Sequence, residues 1–258
     1  DTSRALISAS YRTGNELDSN SDSTIASDEQ DNEAKSLLAK YFYVISDNQE
    51  LSFTYDFFKR EAQTDVLSIL GLGRFSSTTA LIGDDETTRE NFVINYDFVL
   101  DADWLEGGII RLYDQSTETA QLTDERRTET NRRTGITGNF SYDRDFFYQQ
   151  DIKGVRLNFY TNAFASSANH HIGYGLEYST TETKELRNGV KTDLATGVAT
   201  NSILSEVFPV RDFPITKVKE LGIYLNDEIT ISGTNLTVIP ALRYDKYELS
   251  PQVDSIYL

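Results

Sequence analysis

PITKVKELGIYLNDEITISGTNLTVIPALRYDKYELSP, residues 214–251, holds two alternating segments around a short polar turn. In the first, Leu221, Ile223 and Leu225 fall on one side, and Glu220, Gly222, Tyr224 and Asn226 on the other. In the second, Leu236, Val238, Pro240, Leu242 and Tyr244 oppose Thr237, Ala241, Arg243 and Asp245. Side chains alternate faces along a strand, so the stretch predicts a β-hairpin with one apolar and one polar face. Two settings accept such a ribbon: a soluble sheet over a core, or a membrane barrel with lipid outside and water inside. The medium that meets the apolar face decides the function.

The same period of two recurs upstream in ALISASYRT (5–13), ELSFTYDFF (50–58), NFVINYDFVL (91–100), GIIRLYDQST (108–117), GVRLNFYTNAF (154–164) and IGYGLEYST (172–180), and less cleanly in LLAKYFYVI (37–45). No segment sustains a helical period, although 66–75 and 199–207 leave room for a turn or two. The connections alternate in length. SDNQ (46–49), DADWLEG (101–107), SSANHH (166–171) and ISGTN (231–235) are short; 14–35, 62–88, 118–150 and 186–214 are long and polar. Short turns at one end and long loops at the other are the pattern of outer-membrane barrels, with the turns periplasmic and the loops extracellular. Soluble domains seldom carry loops beyond about fifteen residues unless they are functional. GITGNFSYD (135–143) also alternates, with Ile136, Phe140 and Tyr142 on one face. Counting it as a spanning strand inverts every later connection, so 122–150 reads as a long outer loop with a hairpin or strand extension above the membrane. The expectation is an all-β, antiparallel transmembrane β-barrel portion of nine spanning strands, with ten or eleven as other countings.

Composition narrows the classes. The 258 residues contain no Cys, which excludes disulfide scaffolds, zinc–thiolate sites and cysteine nucleophiles. No apolar run approaches the eighteen or so residues of a transmembrane helix. The chain starts at Asp1 without a secretory leader, which suggests a mature product or an excised piece. A net charge of −17 repels nucleic acid, and no basic patch with interleaved aromatics opposes it. The acids gather in DSNSDSTIASDEQDNE (18–33), GDDETTRE (83–90) and TDERRTETNRR (123–133), which read as solvated loops. Fifteen Tyr and 14 Phe stand beside one Trp. Phe57, Phe58, Trp104, Tyr178, Tyr244 and Tyr247 lie near segment ends, where interfacial girdles would place them; ordinary sheet core would use the same residues. Nine strands are odd where bacterial single-chain barrels are even, which fits part of a larger barrel.

Three stretches resemble the TonB-dependent outer-membrane receptors, and among them the haem/haemoglobin (haemoglobin–transferrin–lactoferrin) type: KSLLAKYFYVISDNQELSFTYDFFKREAQTD (35–65), HHIGYGLEYSTTET (170–183) and KELGIYLNDEITISGTNLTVIPALRYDKYELSP (219–251). The hairpin is the most specific and is common to many receptors of the superfamily. Asn226 stands where Gln is frequent and Ala241 where Gly is usual. The resemblance implies a 22-stranded barrel with a plugged lumen, of which 1–258 would be a part without the plug domain. It implies haem or a haem-carrying host protein as ligand, the inner-membrane TonB complex as partner through the plug, and outer-membrane lipid as surroundings. In haem receptors the FRAP and NPNL boxes, with a ligating His near them, lie downstream of the matched stretches, and neither occurs in this sequence.

Candidate site residues are few. His170 and His171 are the two histidines; as strand neighbours they point to opposite faces, and the topology puts them at a short periplasmic turn. Arg243 and Asp245 share the polar face with Glu220 and Glu228, where a lumenal charge network is expected. The acidic loop at 18–33 lacks the central Gly of an EF-hand, and no Walker loop, dinucleotide fingerprint or nucleophile elbow is present. The sequence therefore assigns no catalytic residue, no metal ligand, no cofactor and no cofactor-binding residue. It points to a receptor for haem or haem-protein iron whose loops 62–88, 118–150 and 186–214 contribute to capture. A siderophore or other nutrient receptor of the same superfamily, and a soluble or surface β-sheet binding domain, are the alternatives.

Overall fold

The computed structural model describes residues 2–17, 26–100, 102 and 104–257. Residues 18–25 of the acidic stretch, and Asp101 and Asp103 of the 101–107 turn, lie outside them. The elements run β1 (Ser3–Asn15), β2 (Glu29–Ser46), β3 (Gln49–Asp65), a 3-10 turn (Gly73–Phe75), β4 (Thr78–Val99), β5 (Gly107–Thr130), β6 (Thr137–Phe164) and β7 (Ala168–Asp193). The strands β8 (Ala199–Thr200), β9 (Ser202–Ile203) and β10 (Glu206–Val207) are short; β11 (Ile215–Ile231), β12 (Thr237–Val238) and β13 (Ala241–Gln252) complete the order. The long strands β1 to β7, β11 and β13 form one antiparallel meander in which each pairs with the next. Their number matches the nine expected spanning strands.

Register fixes the two faces, because directly opposed residues share a side. Ile223 faces Leu176 on β7 and Tyr244 on β13, and Leu176 faces Leu157 on β6. The row continues through Ile110 and Tyr96 to Leu51 and Tyr43. The apolar residues of all these strands thus gather in one belt on one face. That belt has no cover: Phe92 is 57% exposed, Leu112 48% and Leu225 49%. The apolar residues buried among those described are Ala62, Leu81, Phe98, Tyr142, Ile203 and Phe208. Burying a large apolar side chain contributes about 1.5–3 kcal/mol. A sheet that leaves its apolar face bare therefore lacks the core of a water-soluble domain and suits a hydrocarbon environment.

The long connections are mostly strand. β5 and β6 pair without interruption from Gly107↔Tyr160 to Thr130↔Thr137, so the 122–150 region is a strand extension, and its loop shrinks to 131–136. Likewise β3 and β4 pair out to Asp65↔Ile82, β7 runs to Asp193, and β2 begins at Glu29. The boundaries of the predicted loops 14–35, 62–88, 118–150 and 186–214 are corrected accordingly. Above the belt the regular apolar–polar contrast disappears while backbone pairing, favoured by the many Thr residues, continues. The 66–75 region supplies the 3-10 turn, and 199–207 supplies β8 to β10 rather than helix.

Two girdle residues are reassigned. Phe58 lies opposite Ser36 and Arg89, and Tyr247 opposite Glu220, which puts both on the polar face. Phe57, Tyr178 and Tyr244 keep the apolar face, and Trp104, 72% exposed, sits in the turn before β5.

Candidate functional site

The polar face is smoothed in its middle by tyrosines lying across glycines. Tyr113 packs on Gly154, Tyr224 on Gly175 and Tyr160 on Gly107, each glycine on a neighbouring strand. A Cβ on Gly175 would meet Tyr224 Cε1 at 2.6 Å, so only glycine accepts the ring there. The phenols then reach partners along the wall. Tyr113 donates to Glu177 at 3.3 Å, beside the Arg156–Glu177 ion pair at 2.5 Å, and Tyr224 donates to Asn158 Oδ1 at 2.8 Å. Arg111 donates to Asn95, and Asn95 to Ser52.

At the far end of the long hairpins the polar face opens into a cavity of about 930 Å³ lined by Arg74, Arg127, Arg144 and Arg187, by the acids Asp85, Glu125, Asp145 and Glu206, and by aromatic rings such as Phe146 and Phe208. Its floor is an ionic lattice. Glu125, 2% exposed, accepts from Thr78 Oγ1 at 2.8 Å and from Arg144 at 3.2 Å. Arg127 pairs with Glu129 at 3.1 Å, and Lys191 pairs with the same carboxylate at 2.6 Å. Arg127, Arg144 and Lys191 all stand over the Tyr142 ring, a favourable cation–π arrangement. Burial opposes ionisation of Glu129, but hydrogen bonds from Lys191 and Tyr142 and the charges of Lys191 and Arg127 hold its carboxyl below the usual range. For the Tyr142 phenol, burial and then the bond to Glu129 push its proton loss up.

A strap formed by 194–214 folds onto this face. Ile203 and Phe208 bury against Tyr142, flanked by Phe140 and Val210. Arg187 and Val210 exchange two backbone hydrogen bonds of 2.9 Å. The Arg187 guanidinium pairs with Asp212 at 2.7 Å and Glu206 at 3.3 Å. Asp212 N–H donates to the buried Glu185 at 2.9 Å. Between β9 and β10, Leu204 (φ 50) and Ser205 (φ 77) both adopt left-handed backbone, as a two-residue hairpin of this hand requires. Leu204 thereby projects at the cavity rim.

The sequence-derived candidates lie elsewhere. His170 and His171 sit within β7 just past the 165–167 turn, not in the turn itself. They face opposite sides as expected: His170 Nδ1 meets Asp227 Oδ2 and His171 Nδ1 meets Asn162 Oδ1, both at 2.7 Å. Arg243 pairs with Asp245 at 2.9 Å across the bare Gly222, whereas neither Glu220 nor Glu228 joins an ion pair among the described residues. Of the three predicted capture loops, 62–88, 118–150 and 186–214 each contribute to the cavity wall. The individual arginines escaped the sequence reading because they come from strands and turns far apart in the chain.

Comparison with known proteins follows this geometry. Residues 19–256 match the family model described as "TonB dependent receptor-like, beta-barrel". No curated protein sequence matches the chain. Among solved structures, the chain is similar to the ferric preacinetobactin receptor BauA of Acinetobacter baumannii, with a TM-score of 0.54 at 14% identity. The similarity covers 98% of this chain and 38% of that one, so the chain spans well under half of the receptor's length. At that identity the likeness concerns the fold.

Proposed function

The chain belongs to the TonB-dependent receptor β-barrel family, and from that premise we propose that it forms part of the wall of an outer-membrane receptor for an anionic iron chelate. Residues 1–258 are then a portion of the barrel domain, the bare apolar belt faces lipid, and the polar face lines the lumen. Family membership selects this reading over a soluble or surface β-sheet domain. Its relatives are transport receptors rather than enzymes. Capture occurs on the extracellular side, and uptake is driven through a plug by the inner-membrane TonB complex. Localisation in the outer membrane of a Gram-negative bacterium follows from the same reading.

The observation behind the ligand class is a cavity at the long-hairpin end where Arg74, Arg127, Arg144 and Arg187 meet Asp85, Glu125, Asp145 and Glu206; of these arginines, Arg74 joins no ion pair among the described residues. Guanidinium groups recognise carboxylates and other planar anions through paired hydrogen bonds. Haem, through its propionates, and a ferric siderophore with exposed acidic oxygens both meet that demand. Resemblance in 170–183 favours haem or a haem-carrying host protein. His171 and Arg187 are sixteen residues apart on one strand, about 50 Å at the usual rise, so a haem held at this cavity would take no axial ligand from His170 or His171.

The test uses the full-length receptor in a strain deprived of its other iron receptors. Growth on haemin, on haemoglobin and on ferric siderophores is compared with and without a functional TonB complex. Arg144→Ala and Arg187→Ala are expected to weaken uptake of the supporting iron source at least tenfold. TonB-independent growth on every source, or unchanged uptake by both variants, would sink the proposal.

A further inference from the structure

The cavity at the long-hairpin end is balanced in charge, because four arginines and four carboxylates line it. An anion that enters must therefore find a guanidinium edge that is free or can be freed. Arg144 holds Glu125, which is 2% exposed, and Arg127 holds Glu129 at 3.1 Å. Breaking either pair leaves a carboxylate without its partner in a largely covered place, which is costly. Arg74 is the free guanidinium. It joins no ion pair among the described residues and stands 4.5 Å over the neighbouring Phe75 ring.

Arg187 is the guanidinium that can be freed, and only at one edge. Its Nη1 meets Asp212 at 2.7 Å, and the Asp212 N–H is tied in turn to the buried Glu185. Its Nη2 meets Glu206 at 3.3 Å, and the Glu206 side chain is 51% exposed. Of the four acids of the cavity, Asp85, Glu125 and Asp145 belong to β4, β5 and β6 of the main sheet. Glu206 rides on β10, which pairs with β9 in a two-stranded ribbon of its own. Packing seats that ribbon independently of the ion pair. A Cβ on Gly189 would meet Phe208 Cδ2 at 3.0 Å and Ile203 Cδ1 at 3.1 Å, so the bare glycine makes room for both. Glu206 can leave Arg187 while Ile203 and Phe208 keep the strap in place.

We infer that Glu206 is a tethered stand-in for the anion this cavity receives: one acidic oxygen of the incoming molecule takes its place on Arg187 Nη2, and a second acidic group of the same molecule meets Arg74. A single carboxylate that displaces Glu206 exchanges one ion pair for another and gains little. A molecule with two separated acidic groups gains the contact at Arg74 as well, so the pair selects polyanions. This rests on the reading of the cavity as the site of an anionic chelate, and it names the two residues that set its selectivity. An exposed ion pair shifts its own equilibrium by about fivefold at most, so loss of Glu206 is expected to tighten anion binding by about that factor. A charge-assisted contact at Arg74 contributes about tenfold.

The experiment titrates the full-length receptor in neutral detergent with two iron-free probes, citrate and acetate. The unaltered receptor should bind citrate more tightly than acetate. Glu206→Gln should bind citrate about fivefold tighter than the unaltered receptor, and the gain should fade in high salt, which screens exposed charges. Arg74→Gln should weaken citrate about tenfold and acetate far less. A Glu206→Gln receptor that binds citrate no more tightly than the unaltered one, or not at all, overturns the inference. So does an equal loss of both probes in Arg74→Gln, which also decides the matter if the glutamine at 206 impairs assembly. A purely structural Glu206 predicts weaker binding, the opposite sign. The import reading is judged separately by growth: uptake untouched by Arg144→Ala and Arg187→Ala sinks that reading, whereas the titrations on purified receptor decide only the roles of Glu206 and Arg74.

Discussion

The ring of Tyr224 on β11 lies across Gly175 on β7, close enough that any Cβ at Gly175 would meet its Cε1 at 2.6 Å. Gly175 also backs directly onto the Leu157 carbonyl of β6, so three strands meet at one residue without a side chain. Gly175→Val should overpack the wall and destabilise the folded barrel by about 1–3 kcal/mol. Tyr224→Phe keeps the ring and loses only the bond to Asn158, for about 0.5–1.5 kcal/mol. Heat-modifiability of the full-length receptor on gels orders the two; a valine variant as heat-resistant as the unaltered protein contradicts the packing argument.

Leu157 and Leu225 both lie in the apolar belt, Leu157 half-buried and Leu225 exposed, and Asn158 belongs to the polar face. Leu157→Arg and Leu225→Arg should each cost about 2–4 kcal/mol at mid-membrane and impair outer-membrane assembly. Asn158→Arg should assemble nearly normally. Surface protease accessibility in cells measures this, and equal assembly of all three variants would reverse the assignment of the faces.

Acid should loosen the strap-side lattice. Glu129, on the hairpin extension beyond the belt, has its carboxyl held below the ordinary value of 4.5 when folded. The unfolded chain therefore takes up this proton first. The stability Glu129 contributes is complete above pH 4.5 and is lost as pH falls through its depressed folded value. Hydrogen exchange at 125–130 and 187–193 should accelerate in that window, and Glu129→Gln should abolish the pH step. Exchange that is flat with pH in the unaltered protein would remove Glu129 as its source.

Residues 1–258 alone should not form a stable soluble monomer. β1 and β13 leave long strand edges without partners among the described residues, and the apolar belt is bare to water. Aggregation in plain buffer and recovery only in detergent or lipid is the expected behaviour. A monodisperse species with one cooperative unfolding transition in buffer would contradict it.

Strand identity and facing were legible from the chain because the period of two is a local property. Leu221, Ile223 and Leu225 against Gly222 and Tyr224 already separate the faces, and no pairing partner is needed to see it. The boundaries failed where that contrast vanished: in 118–150 one face is covered only by the distant 194–214 strap, so Thr, Glu, Gln and Arg carry little facing signal, and continued pairing of β5 with β6 goes unseen. The site was legible only as a set of loops. Arg74, Arg127, Arg144 and Arg187 become neighbours of Asp85, Glu125, Asp145 and Glu206 through lateral registers and a strap folded onto Tyr142. The alternation of side chains is written in sequence because each residue determines it with its own neighbours. Lateral proximity is decided only when backbone hydrogen bonds bring distant strands into one register.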